Sequence, residues 1–187
     1  MNLVRLKQTR KKRQVAALLK IISPILIAFF ISPLWPLGHN PIPGDPFVIV
    51  NKSKNELAFI NDNKVQTVVS VGTGKTQDLT PEGLFTITVK AKNPYFRKGN
   101  IPGGDPMNPL GTRWIGFDAK GTDGRIYGIH GTNQPASIGK YVSQGCIRTQ
   151  NEVVTSLFPL IPLGTKVLVI SSKKSYELLA KDYGALK

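Results

Sequence analysis

The chain has 187 residues and a mass of 20.5 kDa, which is enough for one domain with a substantial core and short for two. Apolar residues make up 41% and charged residues 19% of the chain, and this composition excludes global disorder. Lys and Arg number 25 against 11 Asp and Glu, so the net charge of +14 would by itself suggest a nucleic-acid partner.

The positive charge is concentrated at the N-terminus. Residues 1–20 contain no acid and seven basic residues: Arg5, Lys7, Arg10, Lys11, Lys12, Arg13 and Lys20. Subtracting these seven charges from +14 leaves +7 for residues 21–187. This remainder contains no run that is typical of a recognition helix or a base-stacking platform. We therefore expect no nucleic-acid partner.

An apolar segment without charged residues follows at 21–37, with the sequence IISPILIAFFISPLWPL. Basic residues in front of an apolar run place the N-terminus, here 1–20, in the cytoplasm. The length suits an uncleaved signal anchor in the cytoplasmic membrane, whereas a cleaved signal peptide needs small residues of the A-x-A kind, which do not follow the run. We expect the anchor, with the cleaved signal as the alternative. In either case residues 47–187 are extracytoplasmic, after a stiff linker at 38–46.

The sequence from 47 to 170 predicts one mainly β domain. β-Branched and aromatic runs bounded by turn residues predict seven strands, at 47–51, 57–60, 65–71, 84–89, 114–117, 126–130 and 165–170. Asn61, Asp62 and Asn63 predict a hairpin turn between the second and third strands. The segment 91–112 is rich in Gly, Pro and Asn, and a loop of that length is usually functional or mobile.

Two short helices complete the predicted elements. Asn151 is expected to cap a helix at 152–158, because its side chain can accept a hydrogen bond from a backbone N–H of the first turn. The C-terminal tail at 171–187 contains an amphipathic pattern, which predicts a second helix at 173–183.

The chain contains one cysteine, Cys146, and two histidines. This excludes an internal disulfide and cysteine-based metal sites, so we expect no metal. A thiol with its ordinary pKa of about 8.5 is only a few per cent ionised at neutral pH, so a nucleophilic cysteine needs a base. His130 is the histidine available to the domain, and its imidazolium is expected to lower the pKa of Cys146. The alternative is a buried, inert thiol.

The neighbours of the cysteine fit a reactive thiol. Gly145 allows a strained backbone conformation and a close approach to a substrate. If residues 146–148 are extended, Cys146 and Arg148 point to the same side while Ile147 points into the core. The guanidinium of Arg148 would then stabilise the thiolate or bind a substrate carboxylate in bidentate fashion.

The stretch HGTNQPASIGKYVSQGCIR at 130–148 resembles the catalytic signature of the L,D-transpeptidases, which reads H-G-T/S, a spacer and S-x-G-C-x-R. Three further segments are similar to that family: TPEGLFTI at 80–87, NPLGTRWIGF at 108–117 and IYGIHG at 126–131. The resemblance implies a β-sandwich-like catalytic domain with one or two short helices. It also implies that Cys146 is the nucleophile and His130 its base. Relatives often have His where this chain has Gln144.

The resemblance further implies a reaction and a set of substrate contacts. Cys146 would attack the peptidoglycan stem peptide before its terminal D-Ala, form a thioester and pass the acyl group to an amine, with no cofactor. Water as the acceptor would make the same enzyme a hydrolase. The process would be peptidoglycan biosynthesis, cell-wall organisation and cell shape, and carbapenems would acylate the thiol. The expected substrate-binding or oxyanion residues are Gly131, Ser143, Gly145, Arg148, Tyr127 and Trp114, with the N–H groups of Gly145 and Cys146 as oxyanion donors.

Three other classes are weighed against this interpretation. A sortase-like transpeptidase would have a T-L-x-T-C-type strand and an Arg far after the Cys, and papain-like peptidases place the Cys before the His. A non-catalytic, basic peptidoglycan-binding module would use exposed aromatic residues such as Trp114, Tyr127, Tyr95 and Phe96. Such a module has no need for an aligned Cys and His.

Overall fold

Residues 41–187 are the part of the chain that the computed structural model describes. They form the following strands: β1 (Phe47–Asn51), β2 (Glu56–Asn61), β3 (Lys64–Ser70), β4 (Thr73–Gly74), β5 (Gly83–Lys92), β6 (Arg113–Phe117), β7 (Tyr127–His130), β8 (Tyr141–Ser143), β9 (Ile147–Arg148) and β10 (Lys166–Ile170). They also form α1 (Asn151–Leu157), α2 (Tyr176–Asp182) and 3-10 turns at Arg97–Gly99, Ala119–Gly121 and Pro135–Ser137. The prediction of a mainly β domain with two short helices is confirmed.

Eight strands form one sheet in the order β3-β2-β1-β10-β5-β6-β7-β9, and β4 pairs with β8 beside it. Strand β5 belongs to both halves of the large sheet, because Gly83–Thr86 pair with β10 and residues from Ile87 onward pair with β6. The register of β5 shifts between Ile87 and Val89, and such an irregularity bends a strand. The sheet therefore curls over its own inner face.

The main core lies on the inner face of the curled sheet. It combines fully or almost fully buried residues from both halves, among them Val48, Phe59, Val167, Ile115, Ile129 and Ile147. Each such side chain stabilises the fold by about 1.5–3 kcal/mol relative to an exposed position. One shared core under two halves of a bent sheet accounts for the sandwich-like character that was predicted.

The turn at 61–63 forms as predicted. Asp62 and Asn63 both have positive φ angles, 51° and 57°, between β2 and β3. A two-residue hairpin turn with both central residues in this region matches the twist of the flanking strands, and Asn and Asp tolerate the conformation best after Gly. The local sequence therefore determines this hairpin.

A second core covers the outer face of β1, β2 and β10. There Phe47 and Ile49 pack with Tyr176 and Leu179 of α2. The helix begins later than the predicted residue 173, because the side chain of Ser175 caps it by accepting a hydrogen bond from the N–H of Leu178 at 3.2 Å. The C-terminal tail is thus part of the folded body.

The predicted linker at 38–46 differs from the structure over the residues that can be compared. Residues 42–45 form a turn in which Gly44 has a φ of 101°. The N–H of Gly44 donates to the carbonyl of Ala185 at 3.3 Å, and its carbonyl accepts from Asp62 at 3.1 Å. This segment is held by the hairpin turn and the C-terminus, contacts that a local reading of Pro and Gly content does not reveal.

Within residues 41–187, no helix is long and apolar enough to cross a membrane. The basic segment at 1–20, the predicted anchor at 21–37 and His39 lie outside the described residues.

Candidate active site

Three side chains lie side by side across β6, β7 and β9. The strand register pairs Trp114 with His130, and it pairs His130 with Arg148. Side chains alternate between the faces of a sheet, so the intervening residues point to the opposite side. These are the buried core residues Ile115, Ile129 and Ile147. The same strands thus present a row of polar and aromatic groups on one face and core on the other.

His130 is almost completely buried and is held on two sides. Its ring stacks on the indole of Trp114 with centroids 5.5 Å apart and planes 18° apart. Its Nδ1 lies 2.5 Å from the carbonyl oxygen of Gly131. A carbonyl only accepts, so Nδ1 carries the proton and Nε2 keeps its lone pair. In this tautomer Nε2 is the unprotonated nitrogen of the ring.

Cys146 lies directly before β9 and is half-buried. Its Sγ donates to the carbonyl of Ile126 at 3.3 Å, and the described residues show no hydrogen bond between this thiol and the imidazole of His130. Ile147 is fully buried, as expected for an extended segment in which Cys146 and Arg148 point to the opposite side.

A tight turn from Ser143 to Cys146 presents the thiol. The buried Oγ of Ser143 donates to the carbonyl of Cys146 at 2.6 Å and accepts from the N–H of Gly145 at 3.0 Å. Gly145 has a φ of 128°, and a Cβ there would lie 2.5 Å from the carbonyl oxygen of Leu79. Only glycine fits both the conformation and the space. The glycine thus allows the turn to lie close against the Leu79 backbone.

This turn changes the expected pair of oxyanion donors. The N–H of Gly145 already donates to Ser143, so it is not free for an oxyanion. The N–H of Cys146 takes part in no hydrogen bond within the described part of the chain. Of the two predicted donors, only the one on Cys146 is available. The difference arises because the side chain of Ser143 accepts a hydrogen bond from Gly145. The motif does not reveal the direction of that side chain.

Burial at the site opposes the expected ion pair between Cys146 and His130. Burial lowers the pKa of His130 to about 4, and the positive charge of Arg148 acts in the same direction. Burial raises the pKa of Cys146 to about 11, although a hydrogen bond from Gly128 and the charges of Arg148 and Lys98 oppose the rise. Loss of hydration penalises both charged forms. Both shifts favour a neutral imidazole and a neutral thiol at neutral pH.

The buried His130 predicts a loss of stability in acid. Its pKa is 6.5 in an exposed state and about 4 in the fold, so the unfolded chain binds this proton more readily. The resulting stabilisation is fully present above about pH 6.5 and is lost as the pH falls through about 4. Urea unfolding should show a decrease of about 3 kcal/mol between pH 7 and pH 4 that His130→Gln lacks. An equal decrease in both proteins would contradict the lowered pKa.

Two of the aromatic candidates, Trp114 and Tyr127, are engaged inside the protein, whereas Tyr95 is exposed. Trp114 is 7% exposed, and its Nε1 donates to the carbonyl of Gly124 at 2.9 Å. Tyr127 lies on the core side of β7, where its ring packs against Phe117 with centroids 6.4 Å apart. Burial therefore favours a supporting role for Trp114 beneath His130 over direct contact with a substrate.

The long loop is tied to the histidine segment. Asn108 is 1% exposed, and its amide donates to the carbonyls of Pro94 and Pro102 at 2.8 and 3.0 Å. Asn133, close after His130, donates to the carbonyl of Met107 at 2.8 Å. The loop begins at residue 93 rather than 91, because β5 extends to Lys92. These contacts place the loop beside the candidate site.

One residue near the site was misassigned from the sequence. Asn151 does not cap α1; the N-cap is Gln150, and it makes no side-chain capping bond. The Asn151 side chain instead accepts from the N–H of Thr112 and donates to the carbonyl of Thr132. The only sequence signal for this role was that Asn151 lies three residues after Arg148, and the capping propensity of Asn explained its position equally well.

Comparison with known proteins defines the class. The family model YkuD, described as the L,D-transpeptidase catalytic domain, matches residues 45–169. YqjB of Bacillus subtilis (strain 168), named as an L,D-transpeptidase, is 66% identical over 160 residues, or 86% of this chain and 91% of YqjB. YkuD of the same strain, also named as an L,D-transpeptidase, is 37% identical over 135 residues, or 68% of this chain and 72% of YkuD.

The fold is also that of a solved L,D-transpeptidase. A cysteine-to-serine mutant of the Enterococcus faecium enzyme matches with a TM-score of 0.53 and 23% identity, over 68% of this chain and 50% of that one. This chain thus spans half the length of that solved protein, and the likeness concerns the fold alone. Together with the family match, these findings show that the chain belongs to the L,D-transpeptidase catalytic domain family and is an enzyme of this class.

Proposed function

We propose that Cys146 and His130 transfer an acyl group from a peptidoglycan stem peptide to an amine and so form an L,D cross-link. The supporting observation is that β7 ends at His130 while its parallel neighbour β9 begins directly after Cys146. Pairing of Ile129 with Ile147 places Cys146 level with Gly128, about 8 Å from His130 between Cα atoms by strand geometry. Two side chains on one face can span that separation.

The first half of the proposed reaction uses the neutral pair. With a pKa of about 4, His130 is unprotonated at neutral pH, and Nε2 can accept the Sγ proton as the thiol attacks. The Sγ–carbon bond forms at the carbonyl before the terminal D-Ala, and that peptide bond then breaks. The imidazolium gives its proton to the departing D-Ala amine. A thioester on Cys146 remains.

The second half returns the enzyme to its resting state. An amine of a neighbouring stem attacks the thioester carbonyl and loses a proton to His130. The carbon–sulfur bond breaks as the new amide forms, and the Cys146 thiolate takes the proton back from the imidazolium. The N–H of Cys146 is suited to stabilise the oxyanion in both halves, because it is free and lies on the nucleophile itself.

Arg148 supplies positive charge at this site. Its Nη1 donates to the neutral Oε1 of Gln134 at 3.3 Å, which leaves its charge uncompensated by that contact. A guanidinium on the same face as the thiol can bind a carboxylate of the stem peptide or stabilise the thiolate that leaves the thioester. The remaining charge of +7 over residues 21–187 fits an anionic wall polymer in general.

Muropeptide analysis tests the proposed function. Incubation of the enzyme with purified muropeptides that carry tetrapeptide stems should yield cross-linked dimers and free D-Ala, both detected by mass spectrometry. The matched control is Cys146→Ala, which should leave the muropeptides unchanged. If tripeptide stems form without dimers, the enzyme is a hydrolase instead. If folded wild-type protein leaves the muropeptides unchanged, the proposed acyl transfer is contradicted.

The domain organisation is part of the proposal. A basic cytoplasmic segment at 1–20 precedes a signal anchor at 21–37, a short connection at 38–46 and the catalytic domain at 47–170, followed by the tail at 171–187. A substrate in the cell wall requires the catalytic domain to lie outside the cytoplasm. The uncharged apolar run behind a polybasic start supports this orientation.

Protease accessibility should reveal the same topology. In intact cells stripped of their wall, added protease should digest the domain at 47–187, because it faces outward. A cytoplasmic marker protein in the same cells should stay intact as the control. Digestion that occurs only after lysis would place the domain inside and overturn the assignment.

A further inference from the structure

Asn151, the first residue of α1, connects two segments that meet beside the histidine. Its Oδ1 accepts from the N–H of Thr112 at 3.1 Å, and its Nδ2 donates to the carbonyl of Thr132 at 3.0 Å. Thr112 ends the long loop, whereas Thr132 lies two residues after His130. The side-chain amide of Asn151 thus joins the end of the long loop to the segment that follows His130.

Two glycines leave the space that this amide occupies. A Cβ on Gly131 would lie 2.0 Å from Oδ1 of Asn151, and a Cβ on Gly111 would lie 2.1 Å from the same atom. Both distances are far below a van der Waals contact, so any other residue at either position would displace the amide. The amide is therefore packed directly against Gly131, whose carbonyl receives the Nδ1 proton of His130.

We propose that Asn151 is a positioning residue for catalysis, which fixes the Gly131–Thr132 backbone and thereby orients the imidazole of His130. A shift of the Gly131 carbonyl would release Nδ1–H and allow the other tautomer, in which Nε2 carries the proton and cannot act as a base. The role rests on the proposed function of His130 as general base. The lowered pKa of His130 agrees with a tightly enclosed ring.

An isosteric substitution isolates this role. Asn151→Asp keeps the acceptor for Thr112 but loses the donor, and it sets a carboxylate oxygen against the carbonyl of Thr132. Asn151→Ala removes both hydrogen bonds. The control is Thr155→Ala, which removes the 3.0 Å contact between the hydroxyl groups of Thr155 and Thr112 but leaves Thr132 untouched. All three substitutions lie at the same junction between the loop and α1.

Kinetics with a tetrapeptide stem provide the first measurement. Asn151→Asp and Asn151→Ala should reduce kcat by about 100-fold, the usual cost of a misplaced catalytic group, with little change in KM. Thr155→Ala should keep the wild-type kcat. An equal loss in Thr155→Ala would mean that the junction as a whole matters and not the Asn151 amide, which would overturn the proposal.

Histidine NMR provides a second measurement that does not depend on turnover. In a His39→Gln background His130 is the remaining one of the two histidines, so the imidazole ¹⁵N signals of the full chain report this ring alone. We expect a single Nδ1–H tautomer in the parent and in Thr155→Ala, and a mixture of tautomers in Asn151→Asp. An unchanged tautomer in Asn151→Asp and Asn151→Ala would overturn the proposal. If the His39→Gln parent shows the expected spectra but has no transpeptidase activity, the proposed function is contradicted and the positioning role of Asn151 is not.

Discussion

Cys146→Ala is expected to abolish transpeptidation and every covalent acyl adduct of the protein. The chain contains one cysteine, so no second thiol can form the thioester. The fold should survive, because Cys146 is half-buried and its thiol makes only weak contacts with backbone groups of Ile126 and Gly128. Loss of activity would then report lost chemistry rather than lost structure.

Intact-protein mass spectrometry after carbapenem treatment is the measurement for this variant. Wild-type protein should gain the mass of one ring-opened carbapenem, and Cys146→Ala should gain none. Cys146→Ser is the closer control for shape, because a hydroxyl replaces the thiol with little change in volume. A wild-type protein that stays unmodified, or a variant that still turns over, would make Cys146 a structural thiol.

His130→Gln is expected to lower the rate of acylation by about 10²–10⁴, the usual weight of general acid–base catalysis. The effect should be large here because the thiol does not ionise by itself: burial holds the pKa of Cys146 near 11. A neutral thiol is a poor nucleophile, so a base must remove its proton during the attack. Single-turnover acylation by a carbapenem measures this step directly.

The pH profile of alkylation separates this mechanism from a resting ion pair. In the free enzyme, iodoacetamide should react faster as the pH rises toward about 11, because the thiolate fraction grows over that range. His130→Gln should leave this profile nearly unchanged while it slows acylation. A plateau below the ordinary thiol pKa of about 8.5 would instead indicate a thiolate–imidazolium pair and contradict the neutral resting state.

Much of the fold is determined by local sequence. The alternating and β-branched runs predicted the principal strands to within a few residues, and Asp62 with Asn63 predicted the hairpin turn. These features depend on neighbouring residues alone, namely side-chain periodicity and turn conformation. Strands β4, β8 and β9 were missed because two or three residues carry no measurable periodicity.

The motif likewise indicated the class of enzyme from sequence. The resemblance of the stretch at 130–148 to the L,D-transpeptidase signature indicated this family, and the family match bears it out. The motif did not determine the tautomer of His130 or the protonation states of His130 and Cys146. The sequence favoured an ion pair, because an imidazolium attracts a neighbouring thiolate when the cost of lost hydration is ignored.

Tertiary structure decided what surrounds these residues. His130 is buried beside Trp114 and Cys146 loses hydration in its own position, and both effects favour the uncharged forms. The N–H of Gly145 donates to the side chain of Ser143, and the side chain of Asn151 bonds to Thr112 and Thr132 instead of capping α1. Each outcome depends on backbone groups that are distant in sequence or on side-chain direction. Local propensity encodes neither, so only the assembled sheet and its loops determine the site.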